Sequence, residues 1–230
     1  MSHTQHATEL EVTLEPAAPA TASVILLHGL GADGWDFVPI VDELALPGPV
    51  RFVFPHAPAR PVTVNMGYVM RAWFDIREFT PEGRADAAGL AESVRRVNGY
   101  VADEIARGVD AARIVLAGFS QGGAVALSAA LRHPARLAGL LAMSTYLPFP
   151  ERLAAERSAA SADLPILLCH GLRDPVVPLA MGLEARDVLR SHGCRVEWRD
   201  YPMEHEVCAA ELADVARWLR ALIGSPATGR

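Results

Sequence analysis

Seven short apolar runs, rich in β-branched residues, recur along the chain with helical patterns between them. They are "LEVTL" (10–14), "SVILLH" (23–28), "VRFVFP" (50–55), "RIVLAG" (113–118), "LAGLLAMS" (137–144), "LPILLCH" (164–170) and "RVEWRDYP" (195–202). The middle runs are almost continuously apolar, as strands buried on both faces are. "VRFVF" and "RVEWRDY" are mixed, which suits positions nearer an edge. Helical spacing fills the gaps over 35–45, 86–107, 121–132, 150–158, 179–192 and 206–222. In the second of these, Leu90, Val94, Val97, Val101 and Ile105 fall on one face, and Asp86 is placed to cap it. Strands alternating with helices predict an α/β fold, a mainly parallel central sheet of about seven strands with helices on both faces. Residues 56–80 break the rhythm with a long connection rich in Pro and aromatics. Long connections in compact domains often carry function. No repeat or linker divides the chain, so 1–230 reads as one domain, with 1–8 and 224–230 as loose tails.

The 230 residues suit one such domain with a substantial core. The formal net charge is -6 and the positive charges are scattered, which argues against a nucleic-acid partner. The N-terminus lacks a basic and then apolar leader, and no apolar stretch approaches the ~20 residues of a membrane helix. The expectation is a cytoplasmic protein without a stable membrane anchor. Cys169, Cys194 and Cys208 are odd in number and widely spaced, which suits reduced thiols better than disulfides or zinc. All 21 basic residues are Arg. Without Lys there is no Schiff base, no PLP chemistry, no Ser-Lys dyad and no Walker-A loop. Arg cannot substitute, because it keeps its proton.

Two glycine loops remain to be explained. "HGLGADG" contains G-x-G-x-x-G at Gly29, Gly31 and Gly34, after a strand and before a helical run. A dinucleotide site would need an acidic residue after the next strand to hold a ribose. That strand ends "PHAP", so the NAD reading fails at its discriminating residue. "GFSQG" (118–122) is G-x-S-x-G between a buried strand and an Ala-rich helix, the setting of a nucleophile elbow. Ser120 then needs a base and an orienting acid, in chain order Ser, Asp or Glu, His. His205 follows the last strand and precedes the final helix. Asp174 lies in "GLRDPVVP", on a loop at a strand's C-terminal end. His28 and His170 each end a strand, where they read as hydrogen-bonding braces. A zinc reading of His205 with Cys208 lacks further ligands. No metal or other cofactor is expected. A non-catalytic ligand-binding scaffold of the same fold is the contrasting reading, and it leaves the elbow geometry without a purpose.

These stretches together resemble the carboxylesterase, lysophospholipase and acyl-protein thioesterase family of the α/β-hydrolase fold. The resemblance runs from "LHGLGADG" through "FPHAPARPVTVNMGYVMRAWFDI", "RIVLAGFSQGGAVAL", "LAGLLAMSTYLP" and "HGLRDPVVPL" to the His of "YPMEH". It implies a serine hydrolase in which Ser120 is the nucleophile, Asp174 the acid and His205 the base. It further implies an oxyanion hole of the Leu30 and Gln121 N–H groups, and an acyl channel shaped by Met66, Trp73 and Val176. The implied substrate is a small-molecule ester or acyl-thioester, with short- to medium-chain carboxylic esters favoured over lysophospholipids and protein thioesters. Some relatives are weak homodimers.

Overall fold

The computed structural model describes residues 3–78 and 86–224. Ten strands form two sheets: β1 His3–Ala7, β2 Glu11–Pro16, β3 Ala22–Leu27, β4 Val50–Pro55, β5 Ala59–Val62, β6 Tyr68–Arg71, β7 Ile114–Phe119, β8 Gly139–Met143, β9 Pro165–Gly171 and β10 Arg195–Tyr201. The helices are α1 Val41–Leu44, α2 Ala87–Ala106, α3 Gln121–Arg132, α4 Leu153–Glu156, α5 Leu179–Ser191 and α6 Ala209–Gly224. The main sheet has the order β1-β2-β4-β3-β7-β8-β9-β10, and β5 pairs only with β6. The β1–β2 and β2–β4 ladders are antiparallel; every other ladder in the main sheet is parallel.

Strand periodicity divides the core. In β3, Ile25 and Leu27 face the layer of α2, α3 and α5, while Val24 and Leu26 face α1 and α6. In β7, Ile114 and Leu116 take the first side, and Val115 and Ala117 the second. Each buried Val, Leu or Ile among them contributes roughly 1.5–3 kcal/mol. Helices thus cover both faces, as the alternation of runs predicts. Asp86 caps α2 by accepting the Gly89 N–H at 2.9 Å.

Five expectations need correction. β4 lies inside the sheet between β2 and β3 and is buried along its whole length, not near an edge, because its one charge, Arg51, pairs with Glu15 and Glu104. The sheet has eight strands, because residues 3–7 pair with β2 instead of forming a tail. "HTQHA" has no apolar alternation to mark it; backbone pairing makes the strand, and His3 adds an edge-on contact with Phe52 at 5.7 Å. The 35–45 segment contains only a 3₁₀ turn, Val38–Ile40, and the single turn of α1, which Ala45 ends at φ 43°. The 150–158 segment likewise reduces to a 3₁₀ turn at Pro150–Arg152 and α4. The long connection folds into the β5–β6 hairpin. Its residues 79–80, and 225–230 of the expected C-terminal tail, lie outside the described residues.

Candidate active site

The site forms where β3, β7, β8, β9 and β10 end and their loops meet. Ser120 stands between β7 and α3 at φ 53° and ψ −121°, a strained conformation for a residue with a side chain. Three bonds hold it there. Its N–H donates to Met143 O at 2.9 Å, and its carbonyl accepts from Ala124 N–H at 3.1 Å and from Thr145 Oγ1 at 2.7 Å. The glycines around it are required by close approach. A Cβ on Gly118 would come within 2.4 Å of the Gly122 carbonyl carbon and oxygen, and one on Gly122 within 2.3 Å of Leu27 O.

Ser120, His205 and Asp174, predicted from three separate loops, are brought together. His205 Nε2 lies 2.9 Å from Ser120 Oγ, and His205 Nδ1 lies 2.7 Å from Asp174 Oδ2. The buried carboxylate can only accept, so Nδ1 carries the proton and Nε2 is left to receive the one on Ser120. Burial alone would raise the Asp174 pKa. Hydrogen bonds from His205 and from the Val177 and Val176 N–H groups, with the charge of His205, outweigh burial and hold the carboxyl below its usual range. Those amides reach Oδ1 at 2.9 Å from Val176 and 2.8 Å from Val177. His170 braces the same loop by donating from Nε2 to Val177 O at 2.9 Å. The His205 ring packs on Phe119, with centroids 4.8 Å apart.

The "HGLGADG" loop closes the other side. Burial pushes the His28 pKa down to about 4, so the ring is neutral. Nδ1–H donates to Gly29 O at 2.7 Å, and Nε2 accepts from Ala57 N–H at 3.0 Å. His56 Nδ1 accepts the Gly34 N–H at 2.9 Å. Gly31, at φ 78°, donates to Arg71 O at 2.9 Å, tying the loop to β6. Leu30 N–H and Gln121 N–H meet no acceptor among the described residues. Gln121 also begins α3, where the helix dipole favours negative charge.

Gly29, Leu30, Ser120, Val176 and His205 border one cleft of about 480 Å³. Two expected channel residues do not. Trp73 is fully buried, its indole N–H bonded to His28 O at 2.9 Å and its backbone N–H to Gln121 Oε1 at 2.8 Å. A large ring with one polar edge is consumed as a packing brace. Met66 is 98% exposed at the hairpin tip, in the left-handed conformation that closes β5 onto β6. Reading by residue type missed Thr145 and the Gln121 side chain, whose Nε2 donates to Phe74 O at 2.7 Å. Neither lies in a spacing pattern that marks it; only the folded loops bring it to the elbow. Among the described residues no three His, Cys, Asp or Glu side chains converge as a metal site would, and no helix is long and apolar enough to cross a membrane.

A family model described as Phospholipase/Carboxylesterase matches residues 8–223. Acyl-protein thioesterase 1 of Schizosaccharomyces pombe is 34% identical over 220 residues, covering 94% of this chain and 97% of that protein. The protein of the same name from Cryptococcus neoformans is 34% identical over 224 residues, covering 90% and 94%. The crystal structure of Zea mays acyl-protein thioesterase 2 is similar at a TM-score of 0.83 and 28% identity, over 93% of this chain and 99% of that one. Arabidopsis thaliana SOBER1 is similar at a TM-score of 0.83 and 31% identity, over 88% and 99%.

Proposed function

The chain belongs to the phospholipase/carboxylesterase family of α/β-hydrolases and is a hydrolase of ester or thioester bonds, and we propose that Ser120, His205 and Asp174 carry out its reaction. The observation that carries this reading is the unbroken relay from Ser120 Oγ to His205 Nε2, at 2.9 Å, and from His205 Nδ1 to Asp174 Oδ2, at 2.7 Å. As Ser120 Oγ attacks the acyl carbonyl, its proton passes to His205, and Asp174 stabilises the imidazolium. His205 then gives that proton to the leaving oxygen or sulfur. Water, with His205 again the base, releases the acid from Ser120. The Leu30 and Gln121 N–H groups meet the oxyanion; one such donor is worth about 2.7–4 kcal/mol in comparable sites.

Short- to medium-chain carboxylic esters are the favoured substrates, and a cleft of about 480 Å³ has room for an acyl chain of that size. Acyl-thioesters are the second reading, favoured by the names of the relatives. A series of p-nitrophenyl esters and matching thioesters of increasing chain length separates them; a maximum only at long chains overturns the preference. Ser120→Ala should fold normally and lose at least ~10⁴-fold in kcat. Fluorophosphonate labelling should fall on Ser120 alone. A variant keeping a hundredth of the activity would remove Ser120 from the role. The reading includes a cytoplasmic location and a monomer or weak homodimer, to be checked by fractionation and sedimentation.

A further inference from the structure

The cleft that holds Ser120 and His205 is also bordered by two carboxylates and two aromatic rings, Asp36, Glu206, Phe37 and Phe119. Asp36 and Glu206 are exposed, and neither has an ion-pair partner among the described residues. No Arg borders the cleft, and the chain has no Lys. Phe37 and Phe119, their centroids 6.0 Å apart, border the same cleft as the two acids. Unpaired carboxylates together with aromatic faces are the surroundings that favour an organic cation.

The side of the reaction on which the charge acts follows from the mechanism. His205 must deliver its proton to the departing atom, so the leaving group lies toward His205. Glu206 adjoins His205 in the chain. We propose that Asp36 and Glu206 select esters and thioesters whose leaving group carries a positive charge, and disfavour those whose leaving group is anionic. This rests on the reading of Ser120 and His205 given above. The acids touch no reacting atom; they set specificity through the field in the cleft.

The test holds the acyl group fixed and changes only the charge. Butyrylthiocholine has a near-isosteric neutral counterpart, the 3,3-dimethylbutyl thioester of butyrate. The butyryl thioester of mercaptoacetate supplies an anion. Thiol release should give kcat/KM about five- to tenfold higher for the cation than for its neutral counterpart at low ionic strength, with the anion slowest. Added salt should compress the spread, because these charges face water. The double substitution Asp36→Asn and Glu206→Gln should bring the cation-to-neutral ratio close to one. Equal rates on all three substrates in the native protein, or a ratio unchanged in the double variant, would overturn the proposal and leave the hydrolase reading intact. Failure to cleave any of the three, with p-nitrophenyl butyrate also left intact, would overturn both.

Discussion

Asp174 serves two partners with one carboxylate. Oδ1 receives the Val176 and Val177 amides, which shape the loop, and Oδ2 receives His205. Its folded pKa is held below the ordinary carboxylate range despite burial, so the stabilisation it contributes is present above the unfolded value. That contribution is lost as pH falls through the lowered folded value. Asp174→Asn separates the two duties. The amide oxygen can still take the backbone donors at Oδ1. Its NH₂ then faces His205 Nδ1 and forces the other tautomer, which leaves a proton on Nε2, where Ser120 needs a free lone pair. The expected loss is about 10⁴-fold in kcat with the fold retained, as for the same change in a comparable triad. Steady-state rates on a p-nitrophenyl ester, with circular dichroism as the check on folding, decide it. A loss smaller than about tenfold would mean that something else orients His205.

The elbow works as a junction of elements. Helix α3 lies so close to β3 and β7 that Gly122 meets the carbonyls of Leu27 and His28, and Gly118 meets Gly122. Gly122→Ala would set a methyl 2.3 Å from Leu27 O, against backbone that cannot rotate away. Overpacking of this kind typically costs about 1–3 kcal/mol. Because β3 leads into the Leu30 loop, kcat should fall along with the urea midpoint. A variant with native midpoint and native kcat would show that the junction has slack. The same junction explains what could be read from residues alone. Ser120 and Asp174 follow apolar strands, His205 follows the mixed strand β10, and each sits in a turn with its own Gly or Pro punctuation, so position and chemistry agree locally. Strand β1 is illegible in the sequence because its side chains are mostly polar and exposed, and what holds it is the ladder to β2 together with the contacts of His3 to Phe52 and Val50 O. The hairpin of β5 and β6 was hidden by Pro61 and by four-residue strands too short to establish a period. Trp73 and Met66 failed for opposite reasons. The burial gain of a large ring drew the first into the core, and the turn geometry put the second in water.

Across the whole molecule, two buried glutamates show how the fold handles charge. Glu104, buried beneath the parallel β3–β4 ladder, pairs with Arg51 at 3.0 Å and accepts from Ser23. Glu211, in the first turn of α6, is fully buried, and neither carboxyl oxygen meets a full hydrogen bond among the described residues. Burial raises its pKa to about 8, offset only in part by the Cys169 thiol and the Cys208 backbone. Among the described residues no cation pairs with Glu211; the nearby Arg217 and Arg199 face Asp214 instead. Cys169 lies 3.9 Å from the Tyr201 hydroxyl, which donates to Asp214 at 3.0 Å. Glu211 is therefore protonated in the native protein at neutral pH and ionised in the unfolded chain. A raised folded pKa means that its contribution is complete below the unfolded value of 4.5 and is lost as pH rises through about 8. Glu211→Gln keeps the shape and removes the titration. The variant and the native protein should melt together near pH 5. At pH 9 the variant should melt about 3 °C or more higher, since 1 kcal/mol moves the midpoint of a chain this long by about 2–4 °C. Because α6 begins just after His205, and Leu212 beside Glu211 borders the cleft, the native protein's activity should fall over the same alkaline range. Melting curves of the two proteins that stay parallel from pH 5 to pH 9 would mean that Glu211 ionises within the fold without penalty, and the link from α6 to the site would have to be abandoned.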